Sequence, residues 1–162
     1  MEDVGYPNDP ATVRLLPGAA DAVRELVQRG FVPAIVSNQS GIARGLVSPE
    51  QANAVHDRFV AMFADASGVR LPAFYCPHGP DDGCDCRKPE IGLLRRAAVE
   101  LGMVGRPAVM IGDKTSDVEA GRRFGACAIR LGPHDGTADF SSDDWSAVVD
   151  FVLNREPTHV GA

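Results

Sequence analysis

Two rhythms of apolar and polar positions run along this chain. One has a period near that of a helix. It covers Ala19, Val23, Leu26 and Val27, then Ala52, Val55, Phe59, Met62 and Phe63, then Leu93, Leu94, Ala97, Ala98 and Leu101, and each set predicts a helix with one buried stripe. The other is a series of short continuous apolar runs, Phe31 to Val36, Leu71 to Tyr75, Ala108 to Ile111 and Ala126 to Leu131, bounded by turn residues. Their length and bounds predict strands buried on both faces. A helix from about Ser116 to Phe124 and a last one around Trp145 to Leu153 complete the series. The helix ends carry their own chemistry: Pro17-Gly18 opens the first helix and Gly30 stops it at the C′ position. Ser48-Pro49-Glu50-Gln51 is a capping box with proline at the first helical position. Strands alternating with helices at this spacing predict βαβ units, hence an α/β fold whose parallel sheet carries helices on both faces. One domain over residues 1–155 accounts for the pattern, with 156–162 as a flexible tail. Residues 1–16, rich in turn formers and without an apolar period, read as a surface loop.

Composition narrows the partners. The 162 residues are 44% hydrophobic and 23% charged, the profile of a soluble globular domain. A net charge of −6 with only 16 Lys and Arg gives no basic field to hold a polyanion or an anionic membrane surface, so neither nucleic acid nor membrane is expected as a partner. An anion bound here must be small and met by a few placed cations. No apolar run reaches the length of a membrane span, and the N-terminus lacks the basic and apolar regions of a secretory signal. A cytoplasmic monomer with reduced thiols is the expectation.

The densest chemistry lies in Cys76-Pro-His78, five intervening residues, Cys84-Asp-Cys86, and then Arg87-Lys88-Pro89. Three thiols and an imidazole within eleven residues are the soft donors of a tetrahedral Zn²⁺. With all four positions filled by protein the metal is structural and holds the loop. Arg87 and Lys88, directly after the last ligand, would be aimed by that pinned backbone, one as a planar fork and the other as a compact point charge. The competing reading is a disulfide or cysteines that are merely buried; Cys84 and Cys86 are too close to pair comfortably with each other.

Other candidates stand at strand ends, where ligands of open α/β sheets gather. Ser37-Asn38-Gln39-Ser40-Gly41 follows one strand and offers a hydroxyl, an amide and turn N–H groups; a polar turn capping the strand is the plain alternative. Gly112-Asp113-Lys114 follows another. There Asp113 can hold Mg²⁺ through one or two oxygens while water and phosphate fill the rest. Asp117 reads equally as a cap for the next helix. His56, a lone histidine without partners, reads as a surface or half-buried side chain, and Cys127 as a small buried hydrophobe. Ser37, Arg87, Lys88 and Asp113 together would make a site for one phosphoryl group.

Ser37 to Gly45, the Cys-x-His…Cys-x-Cys-Arg-Lys-Pro loop and Gly112-Asp113-Lys114 resemble the haloacid-dehalogenase (HAD) superfamily. Within it they are closest to the heptose 1,7-bisphosphate 7-phosphatases; the related histidinol-phosphate phosphatases share the zinc loop. The resemblance covers nearly the whole chain and implies a Rossmann-like parallel sheet and a Mg²⁺-dependent phosphoric monoester hydrolase acting on a small phosphorylated sugar. By the same resemblance Ser37, Arg87 and Lys88 would serve catalysis, and Asp113 would bind magnesium. Cys76, His78, Cys84 and Cys86 would hold zinc, and Asp3, Val4, Gly5, Tyr6, Ser37, Asn38, Gln39, Ser40, Arg87, Lys88 and Lys114 would line the substrate site.

The family performs its reaction with an N-terminal strand ending in D-x-D-G-[TV], and no such sequence occurs here. In this superfamily that strand is the central one of the sheet. The expectation is therefore a chain that lacks its nucleophile, folds poorly and binds without turnover, most simply because its start lies downstream of the true one. Two further readings remain: a histidinol-phosphate phosphatase, and a zinc-stabilised module that captures a phosphorylated ligand without catalysis.

Overall fold

The computed structural model describes residues 8–155, and the chain divides into two compact units, Met1–Cys84 and Asp85–Ala162. In the first unit a short 3-10 turn, Pro10–Thr12, precedes helix α1, Ala19–Gln28, strand β1, Ile35–Asn38, the one-turn helix α2, Ser40–Ala43, the long helix α3, Pro49–Ser67, and strand β2, Ala73–Cys76. The second unit holds helix α4, Gly92–Glu100, strand β3, Val109–Gly112, helix α5, Thr115–Phe124, strand β4, Cys127–Leu131, strand β5, Phe140–Ser142, and helix α6, Trp145–Asn154.

The predicted helix signals act as expected. Gly30 lies at φ 90° just past α1. Ser48 Oγ accepts the Gln51 N–H at 3.2 Å while Gln51 Oε1 accepts the Ser48 N–H at 2.9 Å, closing the capping box of α3. Helix α1 packs on α3; Ala19, Ala22 and Leu26 of the one and Val55, Val60 and Phe63 of the other are buried.

All strand pairs are parallel. They form two hydrogen-bonded sheets, β1-β2 in the first unit and β3-β4-β5 in the second, where the sequence pattern predicts one. The first sheet sets Ser37 beside Tyr75 and Asn38 beside Cys76, and the ladder runs one step further with Gln39 N–H donating to Cys76 C=O at 2.7 Å. In the second, Gly112 lies level with Arg130, and Arg130 with Ser141. Helix α5 covers β3 and β4, and α6 covers β5. The approach of α5 depends on Gly121, where a Cβ would come 2.7 Å from Met110 Cβ and 3.4 Å from Ala128 Cβ. The core of this unit is Leu93, Met110, Val118, Ala128, Ile129 and Val148.

Three sequence expectations are corrected. The run Phe31 to Val36 is not one buried strand: Phe31 and Val32 are exposed, and Phe31 N–H bonds back to Leu26 C=O at 3.1 Å. The strand begins only at Ile35, after Pro33, extends through Ser37 and Asn38, and is half-buried throughout. Strand β5 has no counterpart in the apolar pattern because Phe140-Ser141-Ser142 is too short and polar to carry a period. Cys127 is half-buried rather than a core hydrophobe, and its Sγ accepts from Arg155 Nη1 at 2.5 Å. Burial pushes that thiol's pKa up, against the opposing charge of Arg155. No helix among the described residues is long and apolar enough to cross a membrane.

Candidate functional site

Strand β2 delivers Cys76, fully buried, to the start of the loop that carries the soft donors. The ligand atoms of Cys76, His78, Cys84 and Cys86 all lie within 4.8 Å of one another. Cys76 Sγ is 3.5 Å from His78 Nδ1 and 3.6 Å from Cys84 Sγ. None of the four cysteines of the chain forms a disulfide. A tetrahedral zinc with its usual bond lengths separates two sulfurs by about 3.8 Å and a sulfur from an imidazole nitrogen by about 3.6 Å. The donor set therefore fits zinc in type, number and spacing. Between His78 and Cys84 the backbone is held by Gly79 N–H donating to Asp82 Oδ2 at 2.7 Å. No other group of three or more His, Cys, Asp or Glu side chains with metal-ligand spacing occurs among the described residues.

His56 is half-buried on α3, outside that group, as expected. Its Nδ1 meets the Tyr75 hydroxyl, with the two rings edge to face at 4.9 Å between centroids. Burial, reinforced by the charge of Asp57, pushes the Tyr75 phenol pKa up.

Ser37, Asn38, Gln39 and Ser40 stand together at the carboxyl end of β1 in the first unit. Ser37 to Gln39 are half-buried and Ser40 is buried. Asp3, Val4, Gly5 and Tyr6 lie outside the described residues.

The second unit carries the cations and the carboxylates. Lys88 is buried and its Nζ lies 2.6 Å from Asp117 Oδ1, with the two side chains only 7% and 8% exposed. The other oxygen of Asp117 accepts the Lys114 N–H at 3.1 Å, so this carboxylate caps the first turn of α5 and neutralises Lys88 at once. Space for it comes from Gly112, where a Cβ would fall on the Asp117 side chain, 2.5 Å from its Cγ. Asp117 is a cap, as its place in the sequence allows, and is also the partner of Lys88, which the sequence does not declare. An acid at the third position of a helix, five residues after a strand-end glycine, was the available signal. Arg87 is half-buried, and its C=O accepts from Glu90 N–H at 2.8 Å. Glu90 is in turn met by Arg123 of α5 at 2.8 Å. Asp113 directly follows β3 with its carboxylate half exposed, 3.4 Å from Lys114 Nζ. One open carboxylate suits a Mg²⁺ that takes most of its ligands from water and phosphate.

Residues 85–136 match the HAD-hydrolase-like family model. The D-glycero-beta-D-manno-heptose-1,7-bisphosphate 7-phosphatase of Pseudomonas putida is 44% identical over 112 residues, 68% of this chain and 63% of that protein. The chain thus spans somewhat under two thirds of that relative's length. The protein of the same name from Haemophilus influenzae is 35% identical over 158 residues, 94% of this chain and 84% of its own length. Among solved structures, the D,D-heptose 1,7-bisphosphate phosphatase of B. bronchiseptica, crystallised with magnesium and phosphate, superposes with a TM-score of 0.77 at 31% identity. That superposition covers 94% of this chain and 91% of the other. On these identities and coverages, and with its parallel α/β units, the chain belongs to the HAD-like hydrolases, among relatives of the heptose-bisphosphate phosphatase type.

Proposed function

We propose that these residues form the phosphoryl-binding part of a Mg²⁺-dependent phosphatase acting on a sugar bisphosphate, with D-glycero-D-manno-heptose 1,7-bisphosphate as the substrate and its 7-phosphate as the group removed. The observation that carries the reading is the buried Lys88, held by Asp117 immediately after the metal loop. A fixed ammonium of that kind is suited to the charge on phosphoryl oxygens as the bond to the leaving group breaks. In this reading Arg87 recognises the substrate, Ser37 hydrogen-bonds the phosphoryl group, and Asn38, Gln39, Ser40 and Lys114 line the sugar site. Magnesium, when bound at Asp113, supplies charge neutralisation on the phosphate oxygens; zinc at the four-ligand loop holds the backbone that presents Arg87 and Lys88. The names carried by the similar proteins support the same substrate class.

The 162 residues contain no D-x-D-G-[TV] sequence, so the reading gives them the binding of the phosphoryl group and not the attack on phosphorus. The test compares Mg²⁺-dependent phosphate release by this chain with release by the same chain carrying an N-terminal strand that ends in that motif. Only the extended chain is expected to turn over, with a sugar bisphosphate preferred to histidinol phosphate. In it, Lys88→Ala is expected to lower kcat about 100-fold or more with a smaller change in KM. Equal activity of both chains would place the nucleophile within these residues; no activity of the extended chain on any phosphomonoester would overturn the reading.

A further inference from the structure

Helix α4 begins at Gly92, and the Gly92 N–H donates to the C=O of Asp85 at 2.9 Å. Asp85 is the residue between the two ligands Cys84 and Cys86. The segment from Asp85 to Gly92 is thereby closed on itself, with the Glu90 N–H to Arg87 C=O bond inside it. A Cβ on Gly92 would lie 2.6 Å from Asp85 O, 3.0 Å from its carbonyl carbon and 3.0 Å from its Cγ. The first two are backbone atoms and cannot swing aside as a side-chain tip would. We propose that Gly92 is a positioning residue for the metal loop: the absence of a side chain at the first residue of α4 lets the helix grip the Asp85 carbonyl and so fixes where Cys86 presents its sulfur. The proposal rests on the zinc assignment and not on the phosphatase reading.

The magnitudes favour an effect on the metal. Restoring ordinary contact between a Cβ at position 92 and the Asp85 oxygen needs a relative shift of about 0.8 Å, whereas metal–ligand distances tolerate about ±0.2 Å. Gly79 offers the comparison within the same loop. It follows the ligand His78 and is buried, yet a Cβ there would stand 3.6 Å from the Asp82 carboxylate oxygens and 3.7 Å from Ala43 Cβ, which is ordinary packing. Closeness to a ligand is thus shared by both glycines, and only Gly92 has no room.

The test uses the full chain loaded with Zn²⁺ or Co²⁺. Zinc affinity is measured by competition with a chromophoric chelator, the visible bands of the Co²⁺ form report ligand geometry, and thermal unfolding reports stability. Gly92→Ala is expected to weaken zinc at least about tenfold and to shift the cobalt bands. Gly79→Ala should bind within about twofold of the parent. Leu93→Ala, which removes buried volume one residue along α4, should lower the melting temperature with zinc affinity and cobalt bands unchanged. Gly92→Ala with parental affinity and spectrum overturns the proposal. So does a Leu93→Ala chain that loses zinc to the same degree, because the effect would then be general loosening of α4. A Gly92→Ala chain that cannot fold at saturating zinc while Leu93→Ala folds also overturns it, placing the glycine's role in folding the unit. A parent chain that binds no metal removes the zinc assignment on which the proposal stands.

Discussion

Asp117→Asn is the substitution whose consequence the geometry specifies most closely. At 2.6 Å the attraction between Lys88 and Asp117 amounts to about 6 kcal/mol at an effective dielectric of about 20, a gross figure set against the cost of removing both ions from water. Asparagine keeps the shape; with its carbonyl oxygen accepting the Lys114 N–H, its NH2 stands in place of Oδ1 opposite Lys88 Nζ, so the change removes both the charge and the acceptor that Asp117 offers Lys88. The cost is that of withdrawing the Asp117 charge from the buried Lys88 ammonium, about 3–5 kcal/mol. For a chain of this length that corresponds to roughly 6–20 °C in melting temperature. Thermal unfolding of the zinc-loaded chain, followed by circular dichroism, reads it directly. The double variant Asp117→Asn/Lys88→Met separates the charge from the side-chain volume, and is expected to recover most of the loss because no buried cation remains to be compensated. A single variant costing less than about 1 kcal/mol, with the double variant merely additive, would refute the assignment of Asp117 as the group that holds Lys88.

Gly112→Ala is expected to destabilise the chain by about 1–3 kcal/mol or more, because the added methyl occupies the place of the Asp117 side chain; an unchanged melting curve would show that α5 adjusts freely. Cys84→Ser is expected to take bound zinc from about one per chain to none, measured by metal analysis beside a thiol titration; a full equivalent retained by the variant would exclude a four-ligand site. The raised phenol pKa of Tyr75 means that the unfolded chain loses this proton first. Above the ordinary phenol value of about 10 the unfolded state binds fewer protons than the native one, so stability falls as pH rises from there. Denaturant titrations of the parent and Tyr75→Phe at pH 9 to 11 are expected to show a shallower decline for the variant, and parallel declines would refute the burial of the hydroxyl.

Elements whose signals are local were legible in the sequence. The stripe of α3 and its capping box, the C-x-H…C-x-C donors and the strand-end Asp113 each declare themselves within a dozen residues. The limits of β1 were not, because strand formation at Ser37 and Asn38 depends on pairing with Tyr75 and Cys76 far along the chain, and the apolar run that marks the second strand does not give the register in which the first pairs with it. Strand β5 escaped for the same reason: Phe140 pairs with Ile129, and three residues cannot display a period. The site showed a similar division. Lys88 was picked out by its place after the metal loop, but its burial and its carboxylate partner twenty-nine positions later are tertiary facts. Gly112 and Gly92 illustrate the point most sharply, since a glycine's reason is the atom that occupies the space its side chain would have filled.

Helix α5 decides how the segment after the metal loop is held in the second unit. It reaches that segment twice, through Asp117 in its first turn to Lys88 and through Arg123 in its last turn to Glu90, with Arg123 also bound to Glu119 at 2.5 Å. The two ties are unequal. The Arg123 pair is solvent-exposed, so it is screened by salt and fixes little, whereas the Lys88 pair is shielded on both sides and persists at high ionic strength. Position in the Arg87–Glu90 turn is therefore governed by the N-terminal turn of α5, the same turn that follows Asp113. A displacement of that turn would move Lys88 and Asp113 together and preserve their spacing within the unit, as the proposed grip on one phosphoryl group from two charged sides would require.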